Sequence, residues 1–181
     1  MDEKFIIKKI QQGIREALGV LWKSHSSNVL NLAFRMLKNR DEAEDVLMDI
    51  FVSVPGKIQK FRGNSALNTW LYRLTVNECL MRLRSKKRHA ELEEEHVDLV
   101  TDSALGSKHE EKLDYDPELL EFGLSKLSAE TRSMLWLKDA EDLGIKDLSE
   151  IYNMPEGTIK ARLSRARTVV KNLLQENQNY A

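Results

Sequence analysis

The chain has 181 residues, 41% of them hydrophobic and 31% charged, with a net charge of −1. That length accommodates one or two small domains, and no apolar run approaches the ~20 residues of a membrane span, nor does a signal-peptide pattern open the chain, so direct membrane insertion is excluded and a cytoplasmic protein is expected. The one cysteine, Cys79, excludes an internal disulfide and reads as a small core residue in an apolar helical pattern.

Helical periodicity dominates and strand-type alternation is nearly absent, so the fold expected is all-α. Phe5, Ile6, Ile10, Ile14, Leu18 and Leu21 step at helical spacing and predict a first amphipathic helix. Val29, Leu30, Ala33, Phe34 and Leu37 predict a second, stopped by Lys38-Asn39-Arg40. Asp41 with Glu44 three residues on reads as a capping-box variant opening a third helix, whose apolar face is Ala43, Val46, Leu47, Ile50 and Phe51 and whose end Pro55-Gly56 disturbs. After a polar loop, Arg62-Gly63-Asn64-Ser65, a long helix is predicted from about Leu67 to Arg88, with Leu67, Leu71, Leu74, Val76 or Cys79, and Leu83 inward. Periodicity lapses over 89–116 and resumes at Pro117. Leu119, Leu120, Phe122, Leu124 and Leu127 predict one helix, and Ser128 caps another through Met134, Leu135 and Leu137. A short helix around Ile145–Tyr152 precedes the last.

Charge is segregated along this order. Residues 1–88 carry 17 basic and 9 acidic side chains, residues 89–118 carry 2 and 11, and residues 119–181 carry 9 of each. The architecture expected is two small helical domains, a bundle over 1–88 and a helix-turn-helix over 117–181, joined by a flexible acidic linker over 89–116. From charge alone that linker reads as a solvated spacer.

The last helix carries the clearest chemistry. Ile159, Leu163, Ala166, Val170 and Leu173 form one apolar stripe, flanked by Lys160, Ser164, Arg167 and Lys171 on one side and Thr158, Arg162 and Arg165 on the other. Pro155 suits a helix start and Gly157 permits close backbone approach. With the scaffold positions Leu143, Ile145, Leu148 and Ile151 ahead of a short turn, this is helix-turn-helix spacing, which lays a basic helix in a major groove. A solvated amphipathic helix would share the charge pattern but not the turn.

Upstream, Phe61 to Asn77 interleaves aromatic and amide side chains with arginines around a Gly-Asn-Ser loop. Such groups suit unstacked bases: rings for stacking, amides for base edges, arginines for phosphates. A core helix with Trp70 packed inside, beside an unrelated polar loop, fits the same residues.

Phe61, Arg62, Gly63, Ser65, Thr69, Trp70, Leu71, Arg73 and Asn77 match the segment of extracytoplasmic-function (ECF, group 4) sigma factors of bacterial RNA polymerase that reads the −10 promoter element. Ala43-Glu44-Asp45 with Phe51 resembles that family's segment for docking on the polymerase clamp helices. Gly157 to Arg167 resembles its −35-reading helix. Departures are Met48-Asp49 in place of Gln-Glu, Val54-Pro55 in place of an aliphatic–tryptophan pair, Leu67 in place of phenylalanine, and Asp147-Leu148-Ser149 in place of Glu-Ile-Ala.

The resemblance implies a transcription initiation subunit that is not an enzyme, with core RNA polymerase and promoter DNA as partners and an anti-sigma factor in control. It implies core docking through Glu42, Glu44, Asp45, Met48, Asp49 and Phe51. It implies −10 contacts by Phe61, Arg62, Asn64, Ser65, Asn68, Trp70, Arg73, Asn77, Arg84, Lys86, Lys87 and Arg88, with Arg82 beside them and the Gly63–Leu67 loop taking a flipped base. For the −35 duplex it implies Thr158, Lys160, Arg162, Ser164, Arg165 and Arg167, with Arg162 and Arg165 as candidate base readers. In the family the linker threads through polymerase. A polymerase-independent helix-turn-helix regulator would leave Phe61–Asn77 unused, and a helical protein adaptor would leave both basic segments merely solvated. No metal or cofactor is expected, because His25, His89, His96 and His109 lack ligand spacing and no nucleophile–base set is visible.

Overall fold

Helices supply every regular element among the described residues, which are 3–93 and 117–178 of a computed structural model. The chain divides into two compact units, the first built on the residues up to Arg88. In it, α1 (Glu3–Gln11) buries Ile6 and Ile10. It ends at a turn in which Gly13 takes a φ of 80°, a region that favours glycine. α2 (Arg15–Leu37) then buries Ala17, Leu21, Val29, Leu32, Ala33, Met36 and Leu37. The continuous first helix expected through Leu21 is therefore two helices, and the expected second is the latter half of α2. His25-Ser26-Ser27-Asn28 is polar yet helical, and periodicity reports only where something is buried, so it left a gap there.

Asn39, not Asp41, caps α3 (Arg40–Lys57): its side chain accepts a hydrogen bond from the Glu42 N–H at 3.1 Å. Asp41 lies in the first turn, and Glu44 pairs with Arg40 at 2.6 Å. Pro55 sits inside α3, in its last turn, without ending it. A 3₁₀ turn, Ile58–Lys60, leads to the loop before α4 (Leu67–Glu93). Val76 and Cys79 are both fully enclosed, whereas Leu74 and Leu83 are half-buried. α4 runs five residues past the expected end at Arg88, so residues 89–93 of the expected linker are helical. Its remainder, 94–116, lies outside the described residues.

The later elements are α5 (Pro117–Ser125), α6 (Ala129–Asp139), α7 (Ile145–Tyr152) and α8 (Glu156–Gln178), which belong to the second unit apart from Glu150–Tyr152. Ser128 caps α6, accepting from the Thr131 N–H at 3.2 Å. α5 lies tight against α8 at Gly123, where a Cβ would stand 3.3 Å from Val170 Cγ1. The buried stripe of α8 is Ile159, Leu163, Ala166, Val170 and Leu174. Leu174 thus takes the place expected for Leu173, which is only half-buried. We expect Leu174→Ala to destabilise this unit by about 2–4 kcal/mol and Leu173→Ala by distinctly less, as read by denaturant unfolding.

Cys79 is enclosed as expected. Burial pushes its thiol up to about 12 from an ordinary 9.0, against a smaller opposing pull from Arg82. A raised folded-state pKa stabilises the fold below the unfolded value, so this contribution is complete below about pH 9 and is lost as pH rises toward about 12. Native protein should therefore resist iodoacetamide at mildly alkaline pH, and the denatured chain should react readily.

Candidate nucleic-acid interface

Three surfaces gather the residues singled out by sequence. On α3, Glu44, Asp45, Met48 and Asp49 are exposed, Glu42 is half-buried, and Phe51 is buried behind them. The Phe51 ring meets Trp22 edge-on at 4.8 Å, so Phe51 supports this face from within. Met48 and Val52, one turn apart, are 53% and 75% exposed, adding an apolar ridge. The carboxylates are not left to solvent alone. Arg82 of α4 pairs with Asp49 and Glu78 and reaches Asp45 at 4.0 Å, and Lys86 pairs with Glu42. Burial alone would lower the Arg82 pKa, but hydrogen bonds to Glu78 and Asp49 carry it above the ordinary value.

The second surface begins at the loop. Arg62, Gly63 and Asn64 are exposed and Ser65 is half-buried, with Gly63 at a φ of 73°. Trp70 is only 6% exposed, and the Phe61 ring leans on it at 5.3 Å with a 54° tilt. The indole is thus placed to brace the loop rather than to offer a free stacking face. Asn68 keeps its side-chain oxygen enclosed without a hydrogen-bond donor.

Beyond the loop, Arg73, Asn77, Arg84 and Arg88 are all exposed, and spacings of four, seven and four put them on one face of α4. The stripe is about 22 Å long at the helical rise. Lys86 is not on it: two residues after Arg84, it faces the opposite side of the helix. About one turn after Arg82, it points, like Arg82, toward α3, where it pairs with Glu42. Lys87, three residues after Arg84, is exposed at the edge of the stripe.

In the second unit, α7 and α8 enclose the turn Asn153-Met154-Pro155. Asn153 takes a left-handed φ of 52°, its N–H and that of Met154 both bond the Ser149 carbonyl, and the Ser149 hydroxyl donates to the Met154 carbonyl at 2.6 Å. Pro155 precedes α8, accepting from Thr158 and Ile159. Lys160, Ser164, Arg165 and Arg167 are exposed and Thr158 is half-buried. Gly157 faces open space, so its lack of a side chain answers no packing demand within the chain.

Two of the arginines are held back to α6. Arg162 bonds Glu130 at 2.7 Å with side-chain exposures of 33% and 24%, and Arg167 bonds Asp139 at 2.6 Å where both groups are about half exposed. Glu130 and Asp139 carried no signal in the sequence, since their partners lie 32 and 28 residues away.

The sigma-70 region 2 family model matches residues 21–89, and that of sigma-70 region 4 matches residues 118–169. The chain is 30% identical to the ECF RNA polymerase sigma factor SigM of Mycobacterium tuberculosis, over 90% of this chain and 79% of that one. It is 28% identical to the ECF RNA polymerase sigma-E factor of Haemophilus influenzae, over 97% of this chain and 96% of that one. The chain belongs to the ECF sigma factors of RNA polymerase. In fold it resembles the sigma factor RpoE of Bartonella quintana, solved in complex with the anti-sigma factor NepR, with a TM-score of 0.67, 24% identity, and coverage of 87% and 96% of the two chains. As a sigma factor it is a transcription initiation factor and not an enzyme, and its partners are core RNA polymerase and promoter DNA. No helix among the described residues is long and apolar enough to cross a membrane.

The α6–α8 pairing has a measurable consequence for this sigma factor. Glu130→Ala and Arg162→Ala should each cost about 0.5–1 kcal/mol of stability. The double variant should cost little more than either alone, as a double-mutant cycle in denaturant would read.

Proposed function

We propose that the two units of this sigma factor read promoter DNA by different chemistry: the first takes the opened −10 strand and the second the −35 duplex. The observation that supports this most is the exposed stripe Arg73, Asn77, Arg84 and Arg88 continuing from the Arg62–Asn64 loop. A stripe of about 22 Å matches the backbone of about six stacked nucleotides. The loop offers an amide, a hydroxyl and a guanidinium where one base leaves the stack, at a cost of a few kcal/mol of unstacking. In the second unit, Lys160, Ser164 and Arg165 occupy exposed positions of a helix presented by a tight turn, the geometry that enters a major groove.

The α3 face is assigned to core polymerase. Its carboxylates suit a basic partner and Met48 and Val52 an apolar one. Glu42 and Asp49, already paired with α4 cations, exchange those partners for polymerase cations on docking. The Bartonella sigma factor was solved with an anti-sigma factor, and the same mode of control is inferred here, in the bacterial cytoplasm. The acidic segment 94–116 is assigned to the path through polymerase.

The test is binding of labelled full-length protein to bacterial core RNA polymerase, then transcription from genomic fragments and mapping of transcript starts. Promoter-specific transcripts with both elements upstream of each start support the reading. Duplex binding without core binding would replace it with a polymerase-independent regulator. Given a mapped −35 element, Arg165→Ala should weaken duplex binding by about 1–3 kcal/mol, selectively at one base pair. A uniform loss over all sequences would make Arg165 a phosphate contact.

A further inference from the structure

Gln11 ends α1, a helix that lies outside the residues matched by either family model. Its side-chain amide reaches backbone atoms 47 and 50 residues further along the chain. Nε2 donates to the carbonyl of Ile58 at 2.9 Å and to that of Phe61 at 3.3 Å. In return, the Gln59 amide donates to the Gln11 carbonyl at 3.1 Å. A primary amide has two N–H donors on one nitrogen, so both are used, and both acceptors are backbone atoms of the segment that runs into the Arg62–Asn64 loop.

Phe61 is the last residue before that loop. Its carbonyl is held by Gln11, its N–H by Ile58 at 3.0 Å, and its ring by Trp70. The far end of the loop is closed by the Trp70 N–H on the Ala66 carbonyl at 3.1 Å. Between these two anchors, Arg62, Gly63 and Asn64 stand exposed. The stem's own Gln59 amide bonds the Gln11 and Pro55 carbonyls rather than those of Ile58 and Phe61, and the chain turns after α1 at Gly13 with a positive φ.

We propose that Gln11 is a positioning residue for −10 recognition: its amide clamps the backbone at Ile58 and Phe61 so that the loop is presented in its base-binding shape before DNA arrives. The inference rests on the assignment of the loop to the −10 strand. Ordering a loop upon binding reduces affinity, and ordering it beforehand removes that loss. A Gln11→Met change keeps the side chain's length and removes both donors. Gln11→Lys restores a donor of similar reach.

The test uses holoenzymes of full-length protein with core polymerase. The probes are a promoter duplex whose −10 element was mapped from transcript starts, and versions with each −10 base pair replaced in turn. Opening is followed by permanganate reactivity of unpaired thymines, and affinity for core is measured alongside. Gln11→Met should slow opening about tenfold, flatten the base preference at the −10 element, and leave core affinity unchanged, and Gln11→Lys should recover most of the loss. Asn64→Ala in the same assay should abolish the base preference. Wild-type opening and preference in Gln11→Met, with Asn64→Ala defective, would overturn the positioning role and leave the loop assignment standing. Loss of core affinity together with opening would make Gln11 a general support of the fold. An unaltered preference in Asn64→Ala would remove the loop assignment, and this inference with it.

Discussion

The enclosure of the first half of α4 is the constraint on which the first unit depends. Leu67, Thr69, Trp70, Leu71, Tyr72, Thr75, Val76 and Cys79 are all buried, and consecutive residues such as Trp70, Leu71 and Tyr72 cannot share one helix face. The helix is therefore surrounded on most sides and cannot rotate about its axis without exposing apolar surface. Its polar members are reconciled to this locally, as where the Thr75 hydroxyl donates to the Leu71 carbonyl at 2.9 Å. With rotation forbidden, the outward direction of Arg73 is set, and helical spacing sets that of Asn77, Arg84 and Arg88 after it. The same packing holds Trp70, and through it Phe61 and the start of the exposed loop. Core burial thus aims side chains that are themselves far from the core.

Charge is arranged with comparable economy. Arg82, Lys86, Arg162 and Arg167 all have carboxylate partners within their own unit, although sequence presents them simply as members of basic segments. Such partly exposed pairs contribute roughly 0–1 kcal/mol each. They are cheap to exchange, and phosphate or an oppositely charged protein face competes with them on nearly equal terms. Meanwhile they keep cationic surface from adhering to any polyanion at random. The pair least suited to exchange is Arg162–Glu130, the more enclosed of the two on α8. In the structure Arg162 is thus a tie between α6 and α8, whereas Lys160 and Arg165 are more exposed.

Much of this was legible beforehand where it depended on local spacing. The all-helical fold, the Ser128 cap, the turn before α8 and four of the five residues in its buried stripe follow from residue type and periodicity. The misses have definite causes. Gly13 broke a helix whose apolar spacing continued through it, because periodicity carries no information about backbone direction. Asn39 outbid Asp41 as a cap, both being good cap residues one turn-start apart. Glu130, Asp139 and Gln11 act across tens of residues, and nothing local marks a carboxylate or amide as the partner of a group that distant. Trp70 was legible as two alternatives, base platform or core residue. The fold uses it as core, with the Phe61 ring leaning on it.

Dividing recognition between two units has a thermodynamic reason. Neither a single exposed stripe nor the basic face of a single helix presents enough area for tight, selective binding on its own, and each contact to phosphate loses strength as salt rises. Joining the two in one chain makes the second contact intramolecular once the first is made, so modest affinities multiply without new contacts. Selectivity then requires both elements to be present at a compatible separation. A segment of DNA that satisfies one unit alone forgoes that gain and is released sooner.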